Sequence, residues 1–212
     1  QIYIKICCAY PSLLASLKKK ETLNNSAVSF RKARLAISFI FLTNGMGFAS
    51  IAPHLPWLQD KFQLTEAEMG LLLLCHAIGA VTMMLVAGRV IHSFGSRLPV
   101  IVGGCLLILL LPMVFWLDQI QIIILVLIIA GAGIGTMDVA MNAQAVMVEN
   151  GLGKPIMSSF HGLWSLGAMS GGATATFALT MGFTPLQHVA FSSLILTMIL
   201  GLSSFSMIPS GQ

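Results

Sequence analysis

Long stretches of this chain run with no charged residue and no alternation of polar and apolar positions, most plainly 99–117 and 122–132. In hydrocarbon every backbone amide must find its partner within the chain, so a spanning segment is a helix or a strand of a closed barrel. Barrel strands alternate polar and apolar residues. Continuous runs near twenty residues instead match helices crossing a core of about 30 Å. A water-facing globule is excluded by the same poverty of charge, since 8% charged residues cannot clothe a surface for which about 25% is usual. The fold class is therefore an all-α membrane protein, with the lipid bilayer as its solvent.

Breakers and apolar runs together predict six transmembrane helices, over 35–51, 69–90, 98–117, 120–148, 156–181 and 186–207. Pro53 and Pro56 close the first, Gly95 marks the turn after the second, and the stretch around Gly151, Gly153 and Pro155 separates the fourth from the fifth. Short connections make the charge test decisive, because Lys and Arg near span ends set orientation. The spans put ten of the 11 Lys and Arg residues on one side and Lys61 alone on the other. Both termini are expected in the cytoplasm. Residues 1–33 are expected to form a poorly ordered cytoplasmic leader, 34–208 the six-helix unit, and 209–212 a cytoplasmic tail or truncation point. The apolar piece of the leader carries Lys18, Lys19 and Lys20 after it, the reverse of a secretory signal.

A net charge of +4 is explained by this one-sided distribution, so no nucleic-acid partner is inferred. Cys7, Cys8, Cys75 and Cys105 show no CxxC or Cys/His ligand spacing, and neither a disulfide nor a metal site is indicated. No cofactor is expected.

Sliding the chain on itself by 92 residues lays Gly70, Leu71, Gly79 and Thr82 over Gly162, Leu163, Gly171 and Thr174. Two three-helix units related in this way have opposite orientation, because each holds an odd number of spans. Inverted repeats of this kind are a common transporter design.

The segment from Gly131 to Asn142 carries the most chemistry. At 100° per residue, Gly131, Gly135, Asp138 and Asn142 fall within about 60° of arc, one stripe on the fourth span. Gly131 and Gly135 also form the small-xxx-small pattern of close helix packing. No strand precedes these glycines, so a dinucleotide loop is excluded. An ionised carboxylate facing lipid at mid-bilayer costs about 2.5 to 3.5 kcal/mol, so Asp138 should face the bundle interior or a wet cavity. There it could exchange a proton with either side. The competing reading is a structural acid, hydrogen-bonded to Asn142 or to a neighbouring helix.

The fifth span offers a matching stripe of Ser158, His161, Ser165 and Gly172. His161 could relay protons or bind solute, and its neighbour Trp164 could stack on a sugar-like ring. His161 could equally be satisfied by backbone or headgroups at its end of the span. Asn44, with Gly45 and Gly47, suits a cavity wall in the first span or serves as packing glue. His76, in a strongly apolar run, reads as a packed histidine rather than a ligand. The stretch from Gly88 to Arg97 reads as a short cytoplasmic loop in which Gly88 and Gly95 permit a tight turn. There Arg97 either caps carbonyls, pairs with an acid, or simply anchors the inner side.

These residues resemble the N-terminal half of a major facilitator superfamily transporter over 31–207. The stretch from Gly88 to Arg97 is similar to that superfamily's loop between helices two and three, with His92 where an acid is usual. The pattern Gly133, Gly135, Asp138, Ala140 and Asn142, followed by Ser158, Ser159, Phe160, His161, Gly162, Ser165, Leu166 and Gly167, resembles the fucose:proton symporter branch and its bacterial relatives. The resemblance implies proton coupling at Asp138 and a cavity position at Asn142. That branch also carries an acid four residues before a proline late in helix one, where this chain has Ala49 before Pro53. Superfamily members have twelve helices in two halves around a central cavity, which implies a missing C-terminal half or a second copy as partner.

The expected function is secondary active transport of a small polar, sugar-like solute, coupled to protons as a symport, by alternating access in a bacterial inner membrane. Asp138 would carry the proton, and Asn142, His161, Ser165 and Asn44 would line the path. Two alternatives belong to other classes. One is a truncated fragment or structural subunit that transports nothing. The other is an intramembrane hydrolase using Ser165 and His161, for which the surrounding residues supply neither an oxyanion site nor a nucleophile elbow.

Overall fold

Thr65 and Thr184 open their helices with the same reciprocal device. The Glu68 amide donates to Thr65 Oγ1 at 3.3 Å while the Thr65 amide donates to Glu68 Oε2 at 2.8 Å. Gln187 and Thr184 repeat the pattern at 3.3 and 2.9 Å. Each box satisfies two donors that a helix start otherwise leaves unpaired. The computed structural model describes the backbone of residues 11–209 and the side chains of residues 29–209. Among the described residues the chain forms α1 (Pro11–Ala49), a 3-10 turn (Ala52–His54), α2 (Leu55–Phe62), α3 (Glu66–Phe94), α4 (Arg97–Trp116), α5 (Ile120–Leu152), α6 (Met157–Thr180) and α7 (Pro185–Ser204).

Six of these are the expected spans. Five are long and apolar enough to cross a membrane by length and composition. The sixth, α6, has the length at 24 residues but is diluted by Ser, Thr and Gly. Where the sequence leaves residues 1–33 as a poorly ordered leader, the backbone from Pro11 is already helical and runs unbroken into the first span. At 1.5 Å per residue α1 is about 58 Å long, so its N-terminal part extends past a core of about 30 Å. Residues 1–10, with Cys7 and Cys8, and the tail residues 210–212 lie outside the described residues.

The expected loop from Gly88 to Arg97 needs correction. α3 continues to Phe94, so Gly88 is a helical residue, and the turn is only Gly95 and Ser96. Gly95, with φ 70°, takes the left-handed conformation that side chains disfavour. Arg97 opens α4 half-buried and forms no ion pair among the described residues.

The helices pack as two inverted triplets, α1, α3, α4 and α5, α6, α7. α3 lies along α5, and in the equivalent place α6 lies along α1. The glycines superposed by the repeat occupy equivalent contacts. A methyl group on Gly79 would strike the Ile128 carbonyl of α5, and one on Gly171 would strike the Met46 carbonyl of α1. Both helix pairs therefore touch backbone to backbone, the use to which membrane helices put small residues.

The chain's two ends are fastened differently. At one end Lys61 Nζ lies 2.7 Å from Asp118 and donates to the Leu117 carbonyl at 2.7 Å. There His54 Nε2 also meets His188 Nδ1 at 2.9 Å, tying the 3-10 turn to the start of α7. At the other, basic end the buried Gln144 donates to Ser96 Oγ and to the Ile208 carbonyl, both at 2.9 Å, and accepts from the Ile208 amide at 3.1 Å. Around the outside, Leu85 is 81% and Phe205 80% exposed. A belt of large apolar side chains is what a bilayer, rather than water, covers.

Candidate functional site

The stripe of small residues on α5 decides where Asp138 goes. Gly131 and Gly135 sit against the carbonyls of His76 and Ala80 on α3, so close that neither position has room for a methyl group. One turn beyond Gly135, Asp138 emerges where α3 and α5 begin to part. It is half-buried and lines a cavity of about 340 Å³ with Gly135, His76, Ala80, Phe48, Asn44 and Trp164. The cavity thus draws on α1, α3, α5 and α6.

The Asp138 carboxylate accepts no hydrogen bond and forms no ion pair among the described residues. Asn142 donates its side-chain amide to the backbone carbonyl of Asp138 at 2.8 Å, leaving the carboxylate untouched. A structural acid would be expected to spend its oxygens on protein donors, because an unpaired charge away from water is costly.

Opposite Asp138 the wall is amphipathic. Trp164 Nε1 donates to Asn44 Oδ1 at 2.8 Å, which orients an asparagine only 1% exposed. The amide nitrogen of Asn44 has no hydrogen-bond partner among the described residues. The Trp164 indole and Phe48 ring stand 6.1 Å apart at 33°, giving the cavity an aromatic side. Aromatic faces beside hydrogen-bonding groups suit a ligand with one apolar and one polar surface.

Of the residues named from sequence, Asp138 and Asn44 meet at this cavity. Asn142 lies one turn further along α5 and holds the Asp138 backbone. His161 and Ser165 are exposed on α6, outside the cavity wall. The His161 ring packs edge-on against Phe41 at 5.4 Å. Ser165 donates to the backbone carbonyl of His161 at 3.1 Å, not to its ring, so the pair is not arranged as a nucleophile and base. Gly88, Gly95 and Arg97 are in the α3–α4 region at the basic end and take no part in the cavity. His76, whose apolar run reads as that of a packed histidine, also lines the cavity with Asp138.

Six helical spans in two inverted triplets define a polytopic membrane protein, here with a cavity lined by an acid, an amide and an indole. Residues 37–210 match the Major Facilitator Superfamily, and the chain belongs to that superfamily. It is 35% identical over 160 residues to an uncharacterized MFS-type transporter of Yersinia pestis, covering 76% of this chain and 42% of that protein. It is 36% identical over 137 residues to the membrane protein MosC of Rhizobium meliloti, covering 64% and 33%. An uncharacterized transporter, y4wD, of Sinorhizobium fredii is 32% identical over 164 residues, covering 76% and 43%. The chain thus spans about two fifths or less of the length of these curated relatives. No solved structure is a significant match.

Proposed function

We propose that this chain forms the proton-carrying half of a secondary transporter that moves a small polar, sugar-like solute by alternating access. The observation that carries the reading is the shared cavity of Asp138, Asn44 and Trp164, in which, among the described residues, the carboxylate has no partner and the Asn44 amide keeps an unused donor. A hydroxylated ring could stack on Trp164 and accept from Asn44 while Asp138 takes up a proton. His161, exposed on the same helix that carries Trp164, is placed in this reading on the proton route. Ser165 and Asn142 extend the path along the same two helices. The resemblance of the α5 and α6 motifs to the fucose:proton symporter branch supports symport, and Ala49 argues for a solute other than fucose.

A second six-helix unit, either a C-terminal half or another copy of the chain, completes the cavity in this proposal. The exposed polar stripe of α6, with Ser158, His161 and Ser165, is the face it would cover. Both termini lie in the cytoplasm of a bacterial inner membrane on this reading, supported by the ten-to-one distribution of Lys and Arg.

Counterflow of a panel of radiolabelled monosaccharides into proteoliposomes tests the solute class. Movement of at least one sugar, lost in Trp164→Ala and reduced in Asn44→Ala, is the expected result. No movement of any sugar by the unaltered protein, as a single chain or as an assembled pair, would end the sugar-like assignment.

A further inference from the structure

At the basic end of the bundle a second cavity, of about 680 Å³, lies between the start of the first span and the α5–α6 turn. Arg31 and Arg34 of α1 and Lys154 of the turn supply its charge, Ser38 a hydroxyl, and Leu35 and Ile156 an apolar floor. Arg31, Arg34 or Leu35, and Ser38 recur at helical spacing, so α1 presents one mixed face to it. Behind them Phe30 packs over Gly151, where a methyl group would run into its ring, and this fixes the wall between α1 and the turn.

Among the described residues no acid neutralises the charge of this cavity. None of the three cations has an ion-pair partner among the described residues, where the sole ion pair is Lys61 with Asp118 at the far end. The nearby acid, Glu149, is already engaged. Its Oε2 accepts from the amides of Ile156 and Met157, each at 2.7 Å, and so caps the start of α6. An anion entering the cavity would therefore meet two guanidinium forks and an ammonium with no competing carboxylate among its lining residues.

The geometry points to a binding site for the phosphodiester headgroup of an anionic phospholipid. Guanidinium forks match phosphate oxygens two at a time, and basic pockets between membrane helices are suited to anionic headgroups. Depth favours lipid over free phosphate. Arg31 and Arg34 stand within the last turn before the apolar run of the first span, within about 6 Å of its start along the axis. Leu35, 61% exposed, continues the site toward the acyl region. A lipid held there would join α1 to the α5–α6 turn, and so one inverted triplet to the other. Nothing in this site depends on Asp138 or on transport.

The test compares two variants that each remove two positive charges from the same end of the chain. Arg31→Ala/Lys154→Ala removes two of the three cations that line the cavity, whereas Lys32→Ala/Arg89→Ala removes exposed cations that do not line it. Phosphatidylglycerol binding is titrated by native mass spectrometry from phosphatidylcholine nanodiscs. At about a factor of five per basic residue, the cavity variant should lose roughly thirtyfold in affinity, and the control little. Equal losses in the two variants overturn the site in favour of diffuse surface charge. Inorganic phosphate that displaces phosphatidylglycerol at matched concentration overturns the lipid assignment. Should the cavity variant fail to fold, the unaltered chain decides. Phosphatidylglycerol, but not phosphatidylcholine, should shield Arg31 and Arg34 from phenylglyoxal, and equal shielding by both lipids contradicts the proposal.

Discussion

Trp164 donates its indole hydrogen to Asn44 at 2.8 Å, so the aromatic and amide parts of the cavity wall are one unit built across α1 and α6. The two helices can approach this closely because Gly45, beside Asn44, meets the Trp164 carbonyl with no room for a side chain between them. Trp164→Phe keeps a ring but leaves Asn44, 1% exposed, without a hydrogen-bond partner. The expected cost is about 1–3 kcal/mol, read as a lowered unfolding midpoint in detergent. Trp164→Phe combined with Asn44→Leu should cost less than the sum of the single changes, and strict additivity would deny the coupling.

Glycines of one helix type divide sharply by what surrounds them. Gly131→Ala places a methyl group against the His76 carbonyl, which is backbone and cannot swing away. It should destabilise the bundle by about 1–3 kcal/mol as α3 and α5 are forced apart. Gly70→Ala, with nothing within 4 Å of the added carbon, should be neutral or gain up to about 1 kcal/mol of helix propensity. Thermal unfolding of the two variants side by side checks the contrast.

His54 and His188 share one hydrogen bond of 2.9 Å, and His188 Nε2 lies 3.2 Å from Ser192 Oγ. Removing His188 strands the fully buried His54 at the end of the first span. His188→Ala is expected to cost about 1–3 kcal/mol, and His54→Phe/His188→Leu to recover part of it, because two apolar groups leave no orphaned nitrogen. A double variant less stable than His188→Ala alone would contradict this.

Glu149 accepts two amide hydrogens at the start of α6, where the helix dipole also favours a negative charge. Glu149→Ala should lower stability by about 1–2 kcal/mol and increase amide exchange at Ile156 and Met157. Unchanged exchange at these two amides would show that the cap is dispensable.

Much of the architecture was legible in the chain because hydropathy is a one-dimensional property. The runs from 98 to 117 and from 120 to 148 become helices within a few residues of their apolar limits. The Gly79 and Gly171 correspondence proves to be a real equivalence of packing. Periodicity likewise shows that Gly131, Gly135 and Asp138 share a face of α5, but it is silent about which helix that face meets. Nor does it show that His76 lines the same cavity as Asp138. Gly88 was misplaced because glycine signals turns, whereas here it is an open helical position with nothing within 4 Å of an added carbon, and the turn is set by Gly95. The short α2 helix, which holds Pro56 in its first turn, also escaped notice, since a proline that closes one span can open the next helix. The fate of the Asp138 oxygens could not be read at all, because Asn142 one turn away could bond either the carboxylate or, as it does, the backbone carbonyl.

In the proposed transport cycle Asp138 carries the coupled proton. Proteoliposomes loaded with a pH-sensitive dye measure it directly, once counterflow has identified a transported sugar. Adding that sugar outside should acidify the lumen through the unaltered protein. Asp138→Asn should abolish the acidification while sugar counterflow persists. Acidification at an undiminished rate in Asp138→Asn would contradict the account.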